Sequence, residues 1–265
     1  MLLNLGKNKI KLMLIFVVII TLTDIFLHKG LLRFLIPKDF ENYKIEDIEP
    51  LKNNHLINKN KNWVKAVNTP YKMETIEKEN SGIELDIYYD TSKNIFDVHH
   101  DPDKSIGQNF EDLLIIYKRK RLEASLWIDF KNLQITNSLK SMKLLLALSE
   151  KYQLQNKILV ESSHPDLLQI FSQNQFYTSY YVPSFNPYLS NNKKNKVMLD
   201  SITFLLKKYP VNAISGYYFQ MPFLHQYFPS FPILSWAPND KWSLVNWFYK
   251  KNINADSTAF IALYN

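Results

Sequence analysis

Glu84 and Asp86 stand two apart in Ile83-Glu84-Leu85-Asp86-Ile87. In a strand, that spacing puts both carboxylates on one face and the three aliphatic side chains on the other. Two like charges aimed into a confined space repel unless a cation or a cationic side chain lies between them. The same spacing recurs in Trp127-Ile128-Asp129-Phe130-Lys131 and sets Asp129 beside Lys131. A third polar group closes Val98-His99-His100-Asp101-Pro102. Neighbouring strand residues face opposite ways, so only one of these imidazoles can reach a shared site, and we take His100. Three carboxylates with no Cys and few His make the donor set of a hard cation, Mg2+ or Ca2+ in preference to Zn2+. One such pair is as readily a solvated strand edge. Three sets on neighbouring strands point to a site.

Such groups need strands that converge. From Trp63 onward, short β-rich runs alternate with longer helical ones. Strands are expected near 63–67, 83–88, 126–130, 158–161, 177–182, 213–217, 233–236 and 259–263. Helices are expected over 71–78, 110–121, 138–152, 165–173, 197–209 and 241–251, with a short one near 220–228. Eight strands with intervening helices in about 200 residues read as an α/β chain folded into a small (β/α)8 barrel, with an open doubly wound sheet as the rival. An extra strand over 95–99 reads as a hairpin return beside the barrel. In such a barrel, chemistry sits at the carboxyl ends of the strands, where the acidic, His and Lys groups fall.

Composition excludes several classes. The 265 residues contain no Cys, so disulfides, Cys-held zinc, iron–sulfur clusters and a thiol nucleophile are absent. Five glycines, none in a phosphate-loop arrangement, give no support to nucleotide binding. The net charge of +7 is spread through an Asn- and Lys-rich chain with no basic stripe, so no nucleic-acid partner is expected. At the amino end, Lys7, Lys9 and Lys11 precede an apolar run from Leu12 to Thr23 with no small-x-small cleavage site behind it. Residues 1–30 therefore read as an uncleaved signal anchor or transmembrane helix, 31–61 as a polar linker, and 62–265 as the barrel. With the lysines held on the cytoplasmic side, the barrel is extracytoplasmic, or secreted if the segment is removed.

The order of these motifs resembles the phosphatidylinositol-phospholipase-C-like phosphodiesterases, which include the glycerophosphodiester phosphodiesterases: E-x-D, a short hairpin ending in H-D, then an acidic-x-Lys strand. Asp129-Phe130-Lys131 is closer to sphingomyelinase D-type enzymes and the menorin family. Ala66-Val67-Asn68 is similar to the opening strand of those relatives, and Ile233 to Asp240 resembles their seventh strand with its Trp and Asn. The resemblance covers Trp63 to the carboxyl end. It implies that Glu84, Asp86 and Asp129 hold one Mg2+ or Ca2+, that His100 is a general acid or base, that Lys131 contacts phosphate, and that Asn68 and Trp236 meet the substrate. The implied activity is metal-dependent hydrolysis of a lipid- or glycerol-type phosphodiester.

One position departs from that pattern. Relatives with paired-histidine chemistry carry a His on the first strand, where this chain has Lys65. A Lys holds phosphate well but stays protonated unless burial lowers its pKa. The alternative reading is a catalytically impaired barrel that binds a phosphate-bearing lipid or glycan. Two other ideas are weaker. Ser162 lacks an elbow glycine and a triad, and His164 reads as part of a helix-starting turn. A glycosidase built on Glu84 and Asp129 leaves the His and Lys unexplained.

Overall fold

A computed structural model of the chain describes residues 2–27, 40–52, 62–236, 247, 251, 255 and 259–264. After α1 (Leu2–Leu27), strands and helices alternate: β1 (Trp63–Val64), α2 (Pro70–Glu74), β2 (Gly82–Asp90), β3 (Ile95–Val98), α3 (Phe110–Arg119), β4 (Ser125–Phe130) and α4 (Ile135–Tyr152). Then come β5 (Ile158–Ser162), α5 (Pro165–Gln173), β6 (Tyr177–Tyr181), α6 (Asn192–Lys208), β7 (Ala213–Tyr217), α7 (Met221–Tyr227), β8 (Ile233–Trp236) and β9 (Ala259–Tyr264). Strand β1 pairs in parallel with both β2 and β9, so the sheet closes on itself. Only β3 runs antiparallel, as a return against β2 outside the ring. The open-sheet rival is thereby excluded.

Period-two alternation sorts the side chains into two cores. Outward residues such as Ile83, Leu85, Ile87, Leu126, Ile128 and Val160 are sealed under the helices. The inward residues Trp63, Trp127, Leu159, Tyr177, Ala213, Leu234 and Leu263, one from each of seven strands, form a separate apolar floor. The eighth strand contributes Gly82, which pairs with Trp63. A Cβ placed on Gly82 would lie 2.3 Å from the Trp63 ring. The missing side chain is what lets the indole fill the floor. Above this plug the inward positions turn polar, because the barrel opens there to solvent.

Strand β1 is shorter than its sequence suggests. Ala66 adopts a left-handed φ of 54°, which ends the ladder after Val64. The turn then feeds Thr69, whose side chain accepts from the Lys72 N–H and caps α2. The expected hairpin strand is present as β3, and the helix expected over 241–251 falls mostly outside the described residues, as do residues 237–240.

Among the described residues, no helix is long and apolar enough to cross a membrane. The spanning segment expected from sequence is therefore not carried by the structure. What α1 does show is a run of nine consecutive apolar residues, Leu12–Ile20, all exposed. Residues 40–52, part of the expected linker, lie against the barrel. Phe40 packs on Tyr188 and Phe223, with ring centroids 5.4 and 5.3 Å away. At the other end the Leu51 N–H donates to the Val211 carbonyl at 2.8 Å, and Asn212 Nδ2 donates to the Leu51 carbonyl.

Replacing Gly82 by Ala is expected to lower the unfolding free energy by about 1–3 kcal/mol through overpacking against Trp63. Urea titration should also show that Gly82→Ala combined with Trp63→Phe costs less than the two changes summed. Additive costs would mean that Gly82 does not make room for the indole.

Candidate active site

The carboxyl ends of the strands open into a cavity of about 460 Å3. Its wall carries Glu84 and Asp86 from β2, Asp129 from β4, Lys131 just beyond β4, and Glu161 from β5. One carboxylate oxygen each from Glu84, Asp86 and Asp129 lies within 4.8 Å of the others. Register explains the meeting: β2 and β4 pair in parallel with Asp86 opposite Asp129, and β5 sets Glu161 opposite Asp129. The Glu84-x-Asp86 and Asp129-x-Lys131 motifs, separate in sequence, become one cluster because parallel neighbours stay in step.

Each acid is held from behind. Glu84 accepts from the Ala66 N–H at 2.6 Å, and its backbone carbonyl accepts from Val67. The strained left-handed turn at Ala66 is thus what delivers an N–H to the carboxylate. Asn68 spends both ends of its amide on Asp86: Nδ2 donates to the carboxylate at 2.6 Å and Oδ1 accepts from the Asp86 N–H at 2.9 Å. The structure thus gives Asn68 a positioning task on Asp86, beside the substrate contact expected from sequence. Lys131 Nζ is 2.8 Å from Asp86 and also bonds Asp129.

Burial governs the charges. Desolvation first, then Asp86 and Asp129, push the Glu84 carboxyl up to about 8. Burial likewise raises Asp129, with Lys131 opposing. Burial works against the Lys131 ammonium, yet Asp129 and Asp86 outweigh it and raise its pKa. Glu161 is raised well above the carboxylate range by burial and then by Asp129. Its Oε2 has no hydrogen-bond partner among the described residues. The donor set fits a divalent cation: three carboxylate oxygens converge, and positive charge placed between them relieves their mutual repulsion.

The two imidazoles, both just beyond the end of β3, take different environments. His99 is buried, stacks on Tyr88 at 4.1 Å and directs Nδ1 to the Asp101 carbonyl. His100 lines the cavity, with Nδ1 2.8 Å from Asp101 Oδ1, which leaves Nε2 free for substrate. Asp101 is held down at about 2 by its hydrogen bond to Lys104 and then by His100, so it stays ionised beside the ring. Lys65 and Trp236 are also on the wall, with the Lys65 ammonium 5.9 Å from the indole centroid. His164 precedes α5, where its N–H donates to Ser162 Oγ, as a helix-starting turn requires.

Sequence reasoning missed Glu161 as a site residue. The signal was present: Leu159-Val160-Glu161 repeats the floor-then-acid pattern of Trp127-Ile128-Asp129. The aromatic runs divide by the same alternation. Tyr180 is buried in the outer core, while Tyr181, Tyr217 and Phe219 line the cavity. Tyr181 is raised by burial and by its hydrogen bond to Tyr217. These rings and Glu161 line the same cavity as His100.

A pH-dependent stability follows. Between about 4.5 and 8 the folded chain keeps a proton on Glu84 that the unfolded chain has released, so stability falls as pH rises through that window. Without divalent cation, the melting temperature is expected to drop from about pH 5 to about pH 8. Glu84→Gln should flatten that slope, and Mg2+ or Ca2+ should raise the melting temperature more at the higher pH. A slope unchanged by Glu84→Gln would show that this carboxyl does not titrate in that range.

No family model matches the sequence, and no curated protein matches it. Solved structures do. A glycerophosphodiester phosphodiesterase from Parabacteroides distasonis superposes with a TM-score of 0.53 at 14% identity, covering 77% of this chain and 93% of that one. A protein of Galdieria sulphuraria provisionally assigned the same activity gives 0.53 at 14% identity, over 76% and 92% of the two chains. An Oleispira antarctica phosphodiesterase, solved with the product sn-glycerol-3-phosphate, gives 0.51 at 9% identity, over 76% and 91%. The chain folds as the parallel-strand α/β barrel of the glycerophosphodiester phosphodiesterases, which belong to the phosphatidylinositol-phospholipase-C-like superfamily.

Proposed function

We propose that the chain is a metal-dependent phosphoric diester hydrolase acting on a lipid- or glycerol-type phosphodiester, held to a membrane by α1. The observation that carries this reading is the convergence of Glu84, Asp86 and Asp129 within 4.8 Å, beside Lys131 and on the same cavity wall as His100. Glu84, Asp86 and Asp129 would hold Mg2+ or Ca2+. A bound divalent ion there supplies positive charge for a phosphodiester oxygen.

The chain's own groups supply the rest. Lys131, fixed between Asp86 and Asp129, presents a cation to the phosphate. His100, backed by ionised Asp101, moves a proton at Nε2 to or from the bridging oxygen. Trp127 and the floor beneath exclude water from the inner side of the cavity, which strengthens every charge contact above it. Trp236, Tyr217 and Phe219 offer ring faces to the alcohol portion of the substrate.

Support for attachment comes from α1. Its exposed apolar side chains follow one another without a polar face, which suits lipid and no protein groove. Lys7, Lys9 and Lys11 on its amino side favour a cytoplasmic start and an extracytoplasmic barrel.

Asp86→Asn and His100→Ala are each expected to slow hydrolysis of bis(p-nitrophenyl) phosphate, the His change by about 10²–10⁴-fold. A rate untouched by both would sink the assignment. One observation favours a second reading, a barrel that binds a phosphate-bearing ligand without turnover: Lys65 fills the first-strand position on the cavity wall. In that case the wild type is inert and Lys65→His gains hydrolysis. Activity in the wild type that falls in Lys65→His assigns the lysine to phosphate binding.

A further inference from the structure

The exposed apolar side chains of the barrel are not evenly spread. Tyr71 follows β1, Ile106 lies in the loop that carries His100, Ile135 opens α4, Leu189 lies between β6 and α6, and Val197 is in the second turn of α6; all are more than half exposed. Tyr71, Ile135, Leu189 and Val197 follow the carboxyl ends of parallel strands, and Ile106 follows the antiparallel β3 in the loop that brings His100 to the cavity, so all five sit at the end of the barrel where the cavity opens. The turns at the opposite end, over 75–81, 120–124, 153–157, 174–176, 209–212 and 228–232, hold no large apolar side chain of comparable exposure among the described residues. Of the exposed apolar residues outside α1 that remain, Ile115, Leu139 and Phe204 lie on helices α3, α4 and α6, and Trp247 lies between β8 and β9.

Two further observations fall at the same end. A groove of about 580 Å3 beside Leu189 is lined by Phe185, Val197 and Met198 together with Lys193 and Lys194. Both lysines are exposed. The docked segment 40–52 also begins there: Phe40 packs on Tyr188, next to Leu189, and on Phe223 in the first turn of α7. From that point the segment descends to Val211 and Asn212 at the base. Twelve residues separate Leu27, the end of α1, from Phe40, and they reach at most roughly 45 Å. The chain therefore comes from its apolar helix to the barrel at the mouth.

We propose that the mouth of the barrel docks on an anionic phospholipid bilayer, with Tyr71, Ile106, Ile135, Leu189 and Val197 reaching the interface and Lys193 and Lys194 meeting the headgroups. The proposal rests on the membrane attachment argued above and adds to it an orientation. Apolar side chains flanked by lysines such as Lys193 and Lys194 are the chemistry of an interfacial surface, and the chain's net charge of +7 favours an anionic one. A phosphodiester in the bilayer would then reach His100 and Lys131 without the substrate leaving the lipid.

The absence of Cys allows a direct test on the full chain. Single changes Ile135→Cys and Leu189→Cys at the mouth, and Glu79→Cys and Gln155→Cys at the base, are labelled with an environment-sensitive fluorophore. Each protein is mixed with phosphatidylcholine–phosphatidylglycerol vesicles containing spin-labelled lipid. Quenching of both mouth probes with none at the base is the expected result. Vesicle-bound protein whose mouth probes stay unquenched, or whose base probes are quenched equally, overturns the orientation and leaves attachment intact. Protein that fails to sediment with the vesicles overturns both, while hydrolysis of bis(p-nitrophenyl) phosphate still reports on the chemistry alone. Leu189→Asp with Val197→Asp should lower hydrolysis of a vesicle-embedded phosphodiester and spare the soluble substrate. Self-association through this face in the absence of lipid would assign it to a second copy of the chain and overturn the proposal.

Discussion

Carboxylate crowding is the constraint around which the barrel is arranged. At about 4 Å and an effective dielectric near 20, two like charges repel by about 4 kcal/mol. Three such pairs among Glu84, Asp86 and Asp129 would consume roughly 12 kcal/mol, comparable with the whole stability of an ordinary domain. The arrangement persists because charge is managed locally. Lys131 bonds two of the acids, the Ala66 N–H bonds the third, and burial raises Glu84 and Glu161, favouring their protonated forms. A site under that much internal repulsion has a standing demand for positive charge.

The scaffold answers that demand with rigidity at two levels. The floor of Trp63, Trp127, Tyr177 and their neighbours gives the acids a dry base, so their mutual interactions are not screened from below. Above it, Asn68 pins Asp86 at both backbone and side chain, and Asp101 pins His100. These partners lie on different elements: the turn after β1, and the loop after β3. Loops placed by a parallel barrel therefore orient groups that strands alone would only bring near.

Much of this was legible in the sequence because period two is an unforgiving code. Glu84 and Asp86 share a face as inward strand residues, and the parallel register brings Asp129 opposite Asp86, with Lys131 following just beyond the strand. That only one of His99 and His100 lines the cavity was also expected, although both lie beyond the end of β3. What could not be read came from tertiary context. Nothing local marks Ala66 as left-handed, since Ala carries no preference for that region; the Glu84 carboxylate imposes it. Glu161 went unrecognised because a single acid at a strand end is ordinary, and only closure of the ring aims it into the cavity. The docking of residues 40–52 was hidden by their polar, weakly periodic composition, with Phe40, Tyr43, Ile45 and Ile48 spaced for neither helix nor strand.

The two-residue β1 gives the barrel a seam. Every other neighbouring pair around the ring is joined over at least three ladder residues, whereas β1 pairs with each of its two neighbours through Trp63 and Val64 only, with a further backbone bond from Val67 to Glu84 on the β2 side. Local opening begins where the fewest inter-strand bonds are lost, and here that place adjoins Lys65, the Ala66 turn and the back of Glu84. The joint that closes the cylinder is thus also its most readily parted one. Breathing at that joint would loosen the first-strand lysine and the amide that steadies Glu84 in a single motion, making the ring's closure and the site's order one and the same event.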